Sequence, residues 1–410
     1  MKNIRFLFWA FAFVCIYSIS TQKANSQITE HIYTDDYRID PEKKGELLFE
    51  LDDISFFKNN EFDSDYLKGY SLPGYWLQPT LVYYPGKNIK LQAGAHMLHF
   101  WGADQYPNFA YSDIAYWKGD SFQHKFHIVP YFRVHFSLSK SLDIIIGNTY
   151  GGASHRLIDP LYNPELNLIA DPEAGLQLIH TSRFIDTDIW LNWESFIFQL
   201  DTHQEAFTVG LSSRLKYNDP KSRLHFYSPV QILGQHRGGE IDTISVNSVQ
   251  MIYNGAIGLG ATWNLDRKVL ENINVELDVT GYYQQAGKLV SFDKGYGLYA
   301  YASAQLGSFK VKGAYWTSKD FVSLFGSPFY GNISSSKENF KFVKPKMLYL
   351  SAEYFRELGK GYSLGVDIDI YRHLSGDVQT AEGNYRKKGS TSFAIGAYFR
   401  INPSFLIKKF

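Results

Sequence analysis

From Gly45 onward, apolar and polar residues alternate with a period of two along most of the chain. Between residues 125 and 138, Phe126, Ile128, Pro130, Phe132, Val134, Phe136 and Leu138 share one parity, and Lys125, His127, Tyr131, Arg133 and His135 share the other. The pattern returns at 273–283, where Ile273, Val275, Leu277 and Val279 oppose Asn274, Glu276, Asp278 and Thr280. It returns again at 362–371, with Leu364, Val366, Ile368 and Ile370 against Asp367 and Asp369, and at 391–402, with Phe393, Ile395 and Phe399 against Ser392, Tyr398 and Arg400. Period two marks strands with one face in an apolar medium and the other in a polar one. The runs last roughly 8 to 14 residues, longer than the five to six usual in soluble sheets and close to the nine to eleven that a tilted strand needs to cross a bilayer.

Counting such runs predicts about sixteen strands, beginning near 46–52, 74–84 and 88–99 and ending near 345–356, 361–373 and 391–402. Alternate connections are short, as at Pro85-Gly86-Lys87, Ser139-Lys140, Ile185-Asp186 and Gly307, and most of the others are long, as at 53–73, 100–124, 151–174 and 319–344. The prediction is an all-β fold: a transmembrane antiparallel up-and-down β-barrel with short periplasmic turns and long extracellular loops. Closure follows from the solvent, since in hydrocarbon every backbone N–H and C=O must pair and an open sheet edge cannot.

The first residues read as a secretion signal. Lys2 and Arg5 form a basic start, residues 6–19 an apolar stretch, and Ala24-Asn25-Ser26 a small-x-small cleavage site. Residues 1–26 are therefore expected to be removed, residues 27–45 to form a short periplasmic arm, and 46–410 to form the barrel. Removal takes Lys2, Arg5, Lys23 and the only cysteine, leaving a net charge of −3 and no disulfide. A balance so near neutral gives no footprint for nucleic acid. No run outside the signal is long and apolar enough for a spanning helix.

This layout resembles that of bacterial outer-membrane β-barrel proteins, sixteen-stranded porins among them. The terminal Phe410 is similar to the assembly signal of such barrels, while Pro403 departs from an uninterrupted last strand. The resemblance implies residence in the outer membrane of a Gram-negative bacterium and passive or weakly selective diffusion of small polar solutes. Its partners would be outer-membrane lipid, the barrel-assembly machinery and the solutes themselves, with a homotrimer by analogy and no cofactor. Two other functions stay open: an oligosaccharide-specific porin, and a barrel of closed lumen whose loops bind a surface partner.

If the apolar faces meet lipid, the opposite faces line the bore. Basic candidates are Lys90, Lys125, Arg133, Arg214 and Arg223; acidic ones are Glu276, Asp278, Glu353, Asp367 and Asp369. Opposed walls of charge would set a transverse field, although any wet lumen also needs charges simply to stay hydrated. The resemblance implies that the long loop after the fifth strand folds inward, which would put Asp159, Glu165, Asp171 and Glu173 at a constriction facing Lys125, Arg133 and Arg214. Rings make up 17% of the chain. Tyr75, Tyr83, Trp193, Tyr217, Trp263 and Tyr398 suit interfacial girdles, and Trp76, Tyr84, Tyr131, Trp190, Tyr299, Tyr301 and Trp316 suit the interior.

Catalytic patterns are scarce. His180-Thr181-Ser182 resembles the His-x-Ser arrangement of outer-membrane phospholipase A, with Asn192 as a candidate orienting group, and it keeps a lipase as the least favoured alternative. There is no HExxH, GxSxG or Walker loop, and no metal site is expected.

Overall fold

Alternation along the chain becomes an inside and an outside in space. The computed structural model describes residues 37–102, 127–198, 204–239 and 249–410, apart from 266, 268 and 289; the signal at 1–26, most of the arm and Lys125 lie outside the described residues. The strands are β1 (Glu46–Asp63), β2 (Lys68–Gly86), β3 (Ile89–Phe100), β4 (His127–Ser139), β5 (Leu142–Asn148), β6 (Ala174–Thr181), β7 (Ile185–Ser195), β8 (Ala206–Lys216), β9 (Leu224–Arg237) and β10 (Gln250–Asn264). They continue as β11 (Leu270–Ala286), β12 (Lys294–Leu306), β13 (Phe309–Lys319), β14 (Lys341–Phe342), β15 (Lys346–Gly359), β16 (Tyr362–His373), β17 (Gly376–Thr380), β18 (Gly383–Lys387), β19 (Ser390–Ile401) and β20 (Ser404–Lys409). Strands β14, β17 and β18 form a small separate sheet in the extracellular loops. The others make a closed antiparallel barrel of sixteen strands, in which β20 prolongs β19 and both pair with β1.

Pro403 does not break the closing seam. Asp53 lies opposite Ile401 and Glu50 opposite Ser404, so one register runs through the proline. The Leu51 N–H donates to the Pro403 carbonyl (3.1 Å), and only the reciprocal bond, which proline cannot donate, is missing. Arg400 strengthens the seam from inside through two bonds to the Asp52 carboxylate, at 2.8 and 2.5 Å.

Residues 53–73, expected as a long loop, are instead the upper parts of β1 and β2, joined by a link of residues 64–67. Lys58, Asn60 and neighbouring acids gave this stretch a loop-like composition, yet Lys58 and Asn60 are buried toward the bore while Phe57 projects outward. A barrel wall accepts such residues because its inner face need not be apolar.

Outside, Phe132 and Val275 are 52% and 53% exposed, in company with Ile257, Leu259, Leu277, Leu350 and Ile395. Their neighbours along the chain, Arg133, His135, Glu276 and Asp278, are buried inside. An apolar exterior of this extent is stable only against lipid, and the closed barrel belongs to the bacterial outer membrane. The links at one rim are short, the longest being residues 217–223, which marks the periplasmic end. There residues 37–45 run inward: the Tyr37 hydroxyl meets that of Thr181 (2.9 Å), and its ring tilts against Tyr150.

Candidate functional site

Two extracellular loops, residues 149–173 and 320–345, fold into the bore and join each other. Tyr162 bridges Phe325, the Asn163 N–H donates to the Phe325 carbonyl (2.8 Å), and the Ser323 hydroxyl donates to the Pro160 carbonyl (2.5 Å). Ile158, Leu161, Leu166, Ile169, Phe321 and Phe329 are buried there in one apolar cluster with wall residues Trp190, Leu233, Tyr299 and Trp316. The bore expected to be wet and polar throughout is therefore filled by an apolar-cored plug along part of its length. Side chains pointing inward from strands cannot meet across a wide lumen, and the loops supply the missing volume.

The loop acids hold this plug in place. Asp159 receives both bonds of the Lys312 ammonium on β13 (2.7 and 2.8 Å) and the Tyr299 hydroxyl of β12 (2.6 Å). Glu165 takes a bond from Asn60 of β1 (2.9 Å) and another from the Tyr70 hydroxyl of β2. Asp171 meets His127 of β4 at 2.7 Å. Glu173 and Asp188 clamp the two nitrogens of His155 at 2.9 and 2.8 Å, while the His155 ring stacks on Trp190. Burial alone would lower the His155 pKa, but the two carboxylates outweigh it and raise it to about 10, so this histidine is an imidazolium.

Beneath the plug, toward the periplasmic turns, lies a cavity of about 610 Å³. Arg156, Asp159 and Tyr330 of the loops contribute to it, together with wall residues such as Arg214, Lys312, Glu353 and Asp369. Most charges here have partners. Lys58 lies 3.8 Å from Asp369, which accepts from the Tyr349 hydroxyl (2.7 Å), and Tyr398 donates to Asp367 (3.0 Å). Glu276 accepts from Tyr227 (2.5 Å), over whose ring the Arg214 guanidinium sits.

Several expected placements change. Asp159 shares the cavity with Arg214 but bonds to Lys312 and Tyr299, and Arg133 binds the carbonyls of Asn148 and Thr149 and lies over the Tyr150 ring. Lys125 lies outside the described residues. Arg223 belongs to the turn before β9, exposed at the periplasmic rim, because the preceding Asn218 to Ser222 segment bends before the ladder starts. Lys90 is buried on the inner face. Tyr398, expected in a girdle, is buried inside on Asp367. The acidic wall is not purely acidic, since Lys58 and Lys312 stand within it. Sequence reasoning missed both lysines and His155, although the parity of β13 already put Lys312 on the face of Ala314 and Trp316, both of which are buried.

The matching family model is described as lipid A 3'-O-deacylase-type and spans residues 39–410. The chain belongs to this family. No curated protein matches it. Similar solved structures include OccAB4 of Acinetobacter baumannii (10% identity, TM-score 0.45, covering 89% of this chain and 100% of that one). OpdK of Pseudomonas aeruginosa has 11% identity and a TM-score of 0.46, covering 88% and 100%. An anion-selective porin from Comamonas acidovorans has 13% identity and a TM-score of 0.44, covering 87% and 99%.

Ser182 lies in the turn after β6, where its hydroxyl donates to the Ile185 carbonyl (2.9 Å) and accepts from the Ile185 N–H. Asn192 accepts the Ala174 N–H (2.9 Å). The His-x-Ser pair is thus not assembled as a dyad. His135 meets Asp143 (2.9 Å) and Tyr150 (3.1 Å), and Ser137 bonds the same Asp143, so a carboxylate separates hydroxyl from imidazole. That order is unsuited to proton abstraction from the serine. Among the described residues, no group of three or more His, Cys, Asp or Glu is arranged to hold a metal ion.

Proposed function

We propose that this barrel conducts small polar solutes along a narrow path of mixed charge, as a selective channel and not as a wide diffusion pore. The observation that carries this reading is the Asp159–Lys312 pair, through which an inward loop is fixed to the barrel wall above a polar cavity. Lys90, Arg133, Arg214, Glu276, Asp278, Glu353, Asp367 and Asp369 are proposed as wall groups that set selectivity. Asp159, Glu165, Asp171 and Glu173 are proposed to hold the narrowing element. Tyrosines beside carboxylates, such as Tyr349 with Asp369, favour uncharged polyols or sugars among the solutes. Assembly through a machinery that reads Phe410, and a trimeric state, remain part of this proposal.

Single-channel recording in planar bilayers tests it. Small steps are expected, with the anion-to-cation permeability ratio falling in Arg214→Glu. A silent protein, or steps whose selectivity ignores that change, overturns the channel reading. Family membership over residues 39–410 favours a second reading, ester cleavage on an acylated glycolipid. Mass spectrometry of lipid A incubated with the purified protein separates the two, since loss of an acyl chain supports cleavage and an unchanged mass removes it.

A further inference from the structure

Loop 149–173 borders a second cavity, of about 160 Å³, on the side turned to β2, β3, β4 and β7. His155, Leu157 and Tyr162 line both this cavity and the larger one. Its walls include Trp76, Tyr131, Trp190, Leu166 and Leu233. The Trp76 ring is fixed against the loop, since its Nε1–H donates to the Asn167 carbonyl (3.0 Å). At about 30 Å³ per water, the space equals that of roughly five waters. A compact molecule fits, and a chain of linked sugars does not.

The charges that border this cavity are already engaged. Arg400 bonds Asp52, and His127 bonds Asp171. Glu173 holds His155, Arg133 is turned to the Asn148 and Thr149 carbonyls, and Glu194 accepts from Gln235 (3.3 Å) and from Thr208. Two polar atoms differ. His96 Nε2 and the Thr149 hydroxyl have no hydrogen-bond partner among the described residues, although His96 and Thr149 are only 4% and 3% exposed and both border the cavity. Nδ1–H of His96 donates to the Gln78 side-chain oxygen (3.4 Å). No carboxylate meets Nε2, so it is an open acceptor, unlike the two nitrogens of His155. The Thr149 hydroxyl can donate or accept. Leaving such groups buried and unpaired costs free energy, which hydroxyls of a ligand would recover.

We propose that this cavity binds a small uncharged polyol, with hydroxyls on His96 Nε2 and Thr149 Oγ1 and with its carbons against the surrounding rings. An anion or a cation would find no open counter-charge there, whereas hydroxyls complete both unpaired atoms. The loop supplies Thr149, Leu166 and Asn167 to the cavity, so the site is whole only while the loop is docked. A ligand that binds only the docked loop stabilises it by mass action. The polyol is here a ligand that holds the narrowing element in place, and the assignment stands whether or not the bore conducts.

Isothermal titration calorimetry of the full protein in detergent micelles tests it, with erythritol and xylitol as neutral probes, threonate as the anion and serinol as the cation. At least one neutral polyol is expected to bind saturably, and both charged probes more weakly. Thr149→Val removes no internal bond of the side chain, and His96→Phe only the long one to Gln78, so both variants should keep the parent's melting temperature without ligand. Each should nevertheless lower polyol affinity about fivefold. Ser212→Ala, in the larger cavity, should change nothing. At a concentration that saturates the parent, the polyol should slow protease cuts within 149–173, and less so in the double variant. Absence of saturable heat with both polyols overturns the assignment, as does equal affinity for threonate or serinol, or an affinity within twofold of the parent in the double variant. Water alone then fills the cavity.

Discussion

Toward the extracellular rim the bore is narrowed by apolar side chains from two loops, whereas toward the periplasm the same barrel encloses a cavity of about 610 Å³ bounded by paired charges. The plug resembles the core of a soluble domain: Phe321, Phe329, Leu161 and Ile169 are fully or almost fully buried. Its cohesion comes from area removed from water, which neither salt nor ordinary pH disturbs. The cavity below is held by Lys312 on Asp159, Lys58 near Asp369, and hydroxyls on carboxylates. Those contacts respond to charge and protonation. One wall thus supports a stiff closure and an adjustable vestibule, and the variants below act on one or the other.

The largest effect should come from hollowing the plug. Phe321→Ala, Phe325→Ala and Phe329→Ala each remove a buried ring, at about 3–5 kcal/mol apiece where the cavity cannot collapse. Wall pairing continues around the whole barrel without them, so the barrel should persist while the loops detach. Larger conductance steps and new protease cuts within 149–173 and 320–345 are expected. Unchanged steps in the triple variant would mean that the plug does not limit passage.

Asp159→Ala should rank next. It leaves the Lys312 ammonium largely buried without its carboxylate, a change that typically costs about 3–5 kcal/mol, whereas Asp159→Leu with Lys312→Met should be nearly neutral to stability. Loop opening, read as protease sensitivity of 149–173, should follow the single change and not the double. Equal sensitivity in both would show that the pair does not anchor the loop.

Much of the wall was legible in the sequence, because period two is a direct record of which side faces lipid. Phe132 and Val275 fall outside as that period requires. The upper halves of β1 and β2 were hidden by composition, since Lys58, Asn60 and Glu61 are read as loop residues where an aqueous bore is not yet in view. The plug was hidden for a different reason. Phe321, Phe325 and Phe329 follow no strand period, and only the volume left inside sixteen strands makes a place for them. The ion pairs needed register: Asp159 and Lys312 are 153 residues apart, and nothing local joins them.

His155 gives the vestibule's pH response. Its pKa stands near 10 when the loop is docked and near 6.5 when released, so the stabilisation is complete below about 6.5 and is lost as pH climbs through about 10. The whole contribution is on the order of a few kcal/mol. Loop 149–173 should therefore loosen between neutral pH and pH 10, measured as rising protease sensitivity or gating noise. His155→Gln should remove that dependence, leaving loop 149–173 held by its apolar contacts, which do not titrate. A parent protein equally closed across this range would refute the clamp.

The smallest effect belongs to the extracellular latch, where the plug meets solvent. Asp65, in the link between β1 and β2, pairs with Lys337 at 2.7 Å and with Lys387. Beside it the Tyr66 ring stacks on Phe342 and His373. Partial burial raises the Asp65 pKa, but the bonds and charges of the two lysines lower it further, for a net decrease. A depressed carboxylate stabilises above the unfolded value of 3.8, and that contribution disappears as pH falls through the folded value. Because Lys337 is 45% exposed, solvent screens the pair, and Asp65→Asn should cost no more than about 1 kcal/mol. The variant should show slightly faster exchange of the Ser335 N–H bonded to the Tyr66 carbonyl, an excess that vanishes in acid as the parent loses the same charge. If exchange is instead unaltered at neutral pH, stacking of Tyr66 alone holds the loops together, and the closure is apolar up to its outermost layer.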